Sequence, residues 1–168
     1  IMIDSVSKRY SLCGARVGCM ISKNKELIKT AKKFAHLRLS PPTLAILASE
    51  AALINSSFYL KEVKKEYKLR KDTLIREISK INGVEVLNPD GAFYCIARLP
   101  VDNAEKFSKW LLTDFSYNNE TVMFAPLSGF YSSKGLGTKD IRIGFVLNSK
   151  KLIRSVKILE KALYSYNN

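Results

Sequence analysis

Ser5, Ser7, Lys8 and Arg16 fall within one short stretch near the start of the chain. A lysine amine can condense with an aldehyde to a Schiff base, a guanidinium can grip phosphate through two parallel N–H bonds, and hydroxyls can donate to phosphate oxygens. That combination suits a phosphate-bearing cofactor that carries an aldehyde. To bring the side chains together the chain must turn back on itself. Ile1-Met2-Ile3-Asp4 reads as the end of a strand, the Ser-rich stretch after it as a turn holding Lys8, and 16–21 as a second strand, with Gly14 allowing the reversal. On residue types alone, an ordinary lysine in a surface turn beside a Gly-rich strand is an equally good reading.

The elements downstream follow from periodicity. A helix is predicted over about 24–38, capped by Ser22 or Asn24, with Leu27, Ile28, Ala31, Phe34 and Ala35 on one buried face. Ser40-Pro41-Pro42 ends it and opens another, apolar almost all round over 43–54, which predicts burial on several sides. The longest element covers about 57–82, roughly 40 Å at 1.5 Å per residue, and Gly83 is well placed beyond its end. Such a length suits a helix between two domains. Runs 84–87 and 92–99 around Asn88-Pro89-Asp90-Gly91 read as a hairpin, the second strand apolar enough to be covered on both faces. A helix over 104–115, capped by Asp102 or Asn103, turns Phe107, Trp110, Leu111 and Phe115 to the core. A short strand is expected at 121–124, a Gly/Ser/Pro loop at 125–140 and a strand at 141–147. A last helix over 150–165 then buries Leu152, Ile153, Val156, Leu159 and Leu163.

The 168 residues suffice for one domain of ordinary size. No apolar run approaches the roughly 20 residues of a membrane span, no signal peptide is visible, and no membrane partner is expected. Cys13, Cys19 and Cys95 form no C-x-x-C pair and read as reduced, small apolar residues of a cytoplasmic protein. With His36 the single histidine, neither a His-based metal site nor a Ser-His-Asp triad is expected. The net charge of +13 could mark a nucleic-acid or membrane-surface binder. Lys23, Lys25, Lys29, Lys32 and Lys33, however, are spaced among apolar residues as on a solvated helix face. A second explanation is a preceding portion carrying compensating acids, since the chain starts in mid-strand without a start Met.

The spacing Ser5, Lys8, Arg16, Gly18 resembles the Ser-x-x-Lys-(seven residues)-Arg-x-Gly motif of pyridoxal-phosphate aminotransferases, class I/II and fold type I, of the aspartate aminotransferase family. It departs at Ala15, where the family often has an aromatic residue, and at Cys13, where Thr is common. Gly91-Ala92-Phe93-Tyr94 matches the family's Gly-x-F/Y-Y hairpin strand. The run from Val122 to Phe130 looks like its V-x-x-x-P-G-x-x-F loop, with Leu127 where Gly is usual, and Ile141-Arg142-Ile143-Gly144-Phe145 looks like its R-[IL]-x-F strand. In this order and at these intervals the resemblance spans essentially the whole chain, and agreement across levels is what gives it weight.

By this resemblance the fold is α/β with an α+β small domain. Residues 1–56 would be the C-terminal remnant of the cofactor-binding large domain, and 57–168 the small domain with the long interdomain helix. Lys8 would hold pyridoxal 5'-phosphate and, once the substrate amine displaces it, move the proton at Cα. That role calls for a depressed amine pKa, which burial and the cations of Arg9 and Arg16 would encourage. Ser5 and Arg16 would bind phosphate, with Ser7 ranked below them. Arg142 would hold the substrate α-carboxylate. Arg38 could take the distal carboxylate of an acidic substrate at the interface of a homodimer, although an arginine answering a helix dipole is the preferred reading there. Phe130-Tyr131 could cover the substrate, or simply be packed.

The implied reaction moves an amino group from an aspartate-like or aromatic amino acid to a 2-oxo acid. C–S β-lyases and cyclopropane-carboxylate synthases share these motifs. A rival of another class is a basic nucleic-acid-binding module, which needs aromatics exposed among the cations; here they fall on the apolar stripes, and no nucleic-acid partner is expected. In the family, the acid facing the pyridinium nitrogen, the ring-stacking aromatic and the Asn and Tyr at O3′ all precede the lysine motif. The chain is therefore expected to be a C-terminal portion with little or no transaminase activity by itself.

Overall fold

Strand β1 (Met2–Ser5) pairs antiparallel with β2 (Gly18–Ile21), Met2 opposite Ile21 and Ser5 opposite Gly18. These elements belong to a computed structural model that describes residues 1–168 and divides into two units, 1–63 and 64–168. Between the strands run a single helical turn, α1 (Val6–Arg9), and a 3₁₀ turn at Cys13–Ala15. The reversal is not made at Gly14, contrary to expectation. The left-handed residues are Ser11 (φ 54°) and Arg16 (φ 56°). The glycine that the pairing does need is Gly18, where a Cβ would stand 3.0 Å from the Asp4 carbonyl oxygen.

Helix α2 (Lys25–Arg38) starts at Asn24, whose side chain accepts a 3.0 Å bond from the Leu27 N–H. Helix α3 (Thr43–Ile54) follows. Both carry the apolar residues the periodicity gave them, yet neither is buried as expected. No residue of α2 is buried, and Phe34 is 64% exposed. Only Ser49 is buried in α3, its hydroxyl donating to the Ala45 carbonyl at 2.6 Å, while Leu44 is 82% exposed. Periodicity reports which side of a helix is apolar; it does not report what covers that side.

Helix α4 (Ser56–Ile78) is 23 residues long, about 35 Å at the helical rise. The division between the units falls inside it, after Val63. Gly83, beyond its end, has φ +77°, and a Cβ there would lie 3.0 Å from that of Pro100. Gly83→Ala is expected to cost about 1–2 kcal/mol from the left-handed backbone alone. A urea denaturation midpoint lowered with unchanged slope would check this.

The second unit is a four-stranded antiparallel sheet in the order β3 (Glu85–Val86), β4 (Tyr94–Arg98), β6 (Asp140–Gly144), β5 (Ala125–Pro126). The strand expected at 121–124 is replaced by β5, which begins just after it. Only one face of β4 is covered: Cys95 and Ala97 are buried, whereas Ile96 and Arg98 are exposed. Helices α5 (Ala104–Thr113) and α6 (Ser149–Asn167) start at Asn103 and Asn148, each accepting first-turn N–H bonds. Together with Leu74 and Ile78 of α4 they close the core around Phe107, Ile141 and Phe145. Ile153, expected inside, is 43% exposed, and Ile158 and Ala162 take inward places on α6 instead. Of the cysteines only Cys95 is a small core residue, and burial pushes its thiol up to about 11. Cys13 and Cys19 are exposed. No single helix is long and apolar enough to cross a membrane.

Candidate active site

Ser5 ends β1 and caps α1, its hydroxyl accepting from the Ser7 N–H at 3.1 Å. The same oxygen lies 2.9 Å from the Ser7 hydroxyl and 3.3 Å from the Val17 carbonyl, with one proton to give to either. The Val6 N–H bonds the Val17 carbonyl at 3.2 Å and clips this turn to the approach to β2. Arg16 donates once, to the Cys13 carbonyl at 3.1 Å, so the rest of its fork is not used by the protein. These side chains line a cleft of about 740 Å³ whose other wall holds Phe34, Arg38 and Ser40, at the end of α2 and just beyond it. Asp4 also reaches the cleft. Its carboxylate already bonds the Arg9 guanidinium and accepts the Ser5 N–H at 2.7 Å, so its charge is met locally.

The structure thus brings Ser5, Ser7, Arg16 and Arg38 to one cleft. Lys8 follows Ser7 on α1, two residues after the buried Val6, and is itself exposed. Residues 1–168 do not supply the burial expected of it. Arg9, expected to raise the positive field beside Lys8, is paired with Asp4.

Arg142 belongs to the other unit. It sits in the middle of β6, opposite Ile96 of β4 and Ala125 of β5. Its guanidinium carbon lies over two rings, 4.6 Å from the centroid of Tyr94 and 5.0 Å from that of Phe130. It makes no ion pair. Within the same sheet it is Arg98 that is answered by an acid, bonded to the buried Asp140 at 2.8 Å. Arg142 is therefore not a strand-end arginine paired with a surface acid. Sequence reading missed Tyr94 in this role. The register that pairs Tyr94 with Gly144 makes it the diagonal neighbour of Arg142, and that register is invisible until the strands are aligned.

Residues 1–123 match the sequence model of aminotransferase class I and II. The chain belongs to the aminotransferase class I and II family. An aspartate aminotransferase of Pyrococcus horikoshii is 27% identical over 167 residues, which are 97% of this chain and 41% of the relative. Among solved structures, an alanine aminotransferase from Pyrococcus furiosus superposes with a TM-score of 0.80 at 29% identity, covering 97% of this chain and 42% of its own. The α-aminoadipate aminotransferase of Thermus thermophilus, solved with N-(5'-phosphopyridoxyl)-L-leucine, shares the fold at TM-score 0.76 and 22% identity, over 92% of this chain and 39% of its own. The mixed α/β architecture of this aminotransferase-family chain is that of fold type I over the matched part. The chain spans about 40% of the length of these relatives.

Proposed function

We propose that this chain carries the lysine-bearing and carboxylate-binding residues of a pyridoxal-phosphate-dependent aminotransferase. The enzyme would move an amino group from an aspartate-like or aromatic amino acid to a 2-oxo acid. The observation that carries this reading is the cleft shared by Ser5, Ser7 and Arg16 in the turn that bears Lys8. The donor set fits a phosphate monoester: two hydroxyls, and a guanidinium with most of its N–H groups unspent. When bound, the cofactor supplies an aldehyde for the substrate amine and a ring that draws electrons from the bond broken at Cα.

The chain's own residues do the rest. Lys8 holds the cofactor covalently in the resting enzyme and later carries a proton to and from Cα on its amine. Ser5, Ser7 and Arg16 bind the phosphate. Arg142 would fix the α-carboxylate through its planar fork of donors. Arg38, in the last turn of α2 where it answers the helix dipole, also lines the cleft and would be the group for the distal carboxylate of an acidic substrate. A C–S β-lyase would use the same holding residues and differ in the bond broken.

The apolar faces left exposed on α2 and α3 favour a larger assembly. The rest of the large domain and the second subunit of a cytoplasmic homodimer would cover them and enclose Lys8. Residues 1–168 alone are expected to lack transaminase activity, because by family resemblance the acid facing the pyridinium nitrogen lies before the lysine motif.

Arg16→Ala in the complete enzyme implied here should weaken pyridoxal-phosphate binding about 10- to 100-fold, the worth of a charged hydrogen bond. Titration of the apoenzyme by cofactor absorbance checks it. Unchanged affinity would take the cleft out of cofactor binding.

A further inference from the structure

We infer that Tyr94 and Phe130 are positioning residues for the Arg142 guanidinium, holding it by their ring faces so that its charge and N–H donors stay available to a substrate carboxylate. The inference rests on the reading of Arg142 as the carboxylate ligand. A long arginine side chain has to be fixed by something before it can orient a ligand. Within the same sheet, Arg98 is fixed by acids: Asp140 at 2.8 Å, with Glu85 at 4.0 Å. That arrangement spends donors and cancels charge. Arg142 is held differently, over Tyr94 and Phe130 and with no protein group accepting from its guanidinium. A ring face attracts the cation through its quadrupole and takes no conventional N–H···O bond.

The rings come from different supports. Tyr94 stands on β4 with its centroid 4.3 Å from that of Phe93, which in turn packs on Tyr67 at 5.9 Å. It is held from behind by an aromatic row that reaches the core. Phe130 is 62% exposed on the 3₁₀ turn Ser128–Phe130. The Ser128 hydroxyl bonds the Glu105 carboxylate, and the Leu127 N–H bonds the Asp140 carbonyl at 2.9 Å, which anchors the turn. Tyr94 is thus the fixed seat and Phe130 the outer ring, and neither changes the charge of the site when it is removed.

The test uses the complete enzyme with its cofactor. Phe130→Leu and Tyr94→Leu should each raise KM for the amino acid roughly fivefold with kcat changed less than twofold, and the ring-preserving Tyr94→Phe and Phe130→Tyr should restore the parent KM. Arg142→Ala should raise KM by about 100-fold, and Phe130→Leu added to it should raise KM no further. Because Phe130 is exposed, its variant separates positioning from folding. If Arg142→Ala raises KM while both leucine variants leave it unchanged, or if they lower kcat and KM effects persist in the ring-preserving variants, the positioning role is overturned and the carboxylate reading stands. If Arg142→Ala leaves KM unchanged, the carboxylate reading itself falls and the inference with it.

Discussion

Lys8→Ala in the complete enzyme is expected to lower kcat about a thousandfold or more, with the protein still folded and still able to take up pyridoxal phosphate through the Ser5, Ser7 and Arg16 donors. The size follows from the chemistry assigned to one amine. A group that carries a proton in the transition state is worth about 10²- to 10⁴-fold, and no neighbour can replace it. The residues beside it are committed elsewhere: Arg9 to Asp4, Ser7 to Ser5. Lys8 is itself exposed, while the buried residue of its helical turn is Val6, so its loss should leave the clip between Val6 and Val17 in place and not unfold the unit. A small primary amine added to the variant should restore part of the rate, because a missing proton carrier can be supplied from solution. Lys25→Ala, another exposed lysine of the same unit, should leave kcat unchanged. Full activity in Lys8→Ala would move the catalytic amine elsewhere.

Phe107→Ala is expected to be the most damaging change to stability, at about 3–5 kcal/mol. Phe107 is fully buried, and its ring lies 4.9 Å from Tyr166, 5.9 Å from Trp110 and 6.0 Å from Phe124. These neighbours come from α5, α6 and the stretch before β5, so a void there loosens three segments at once. The Tyr166 hydroxyl donates to Asp102 at 2.9 Å and holds the last turns of α6 near the entry to α5. For a unit of about this size each kcal/mol lowers the melting temperature by roughly 4–8 °C, so calorimetry should show a drop of well over 10 °C. A shift within the range of ordinary surface substitutions would mean that the cluster is not the centre of the core.

The two units were legible in the sequence to different degrees. Asn24 and Asn103 are both among the candidate caps, and each is the residue that caps, because a short polar side chain before an apolar period has little else to do. The inward positions of α5 were readable for the same reason: Phe107 and Leu111 lie one turn apart and are both buried. The exposure of α2 and α3 was not readable, since an apolar stripe is the same whether or not another surface meets it. Nor was Gly14, where residue type suggested a reversal that Ser11 and Arg16 make in its place. At the site, the local grouping of Ser5, Ser7 and Arg16 could be read from spacing, and Arg38 came to the same cleft from another element. The rings under Arg142 depend on strand register and on a turn whose position no periodicity gives.

The central claim is that the amine of Lys8 is the cofactor's anchor. It is tested most directly by loading the complete enzyme with pyridoxal phosphate, reducing it with borohydride and mapping the labelled peptide. One phosphopyridoxyl group per chain, on Lys8, is expected. Stoichiometric label on any other lysine, or none on Lys8, would contradict it.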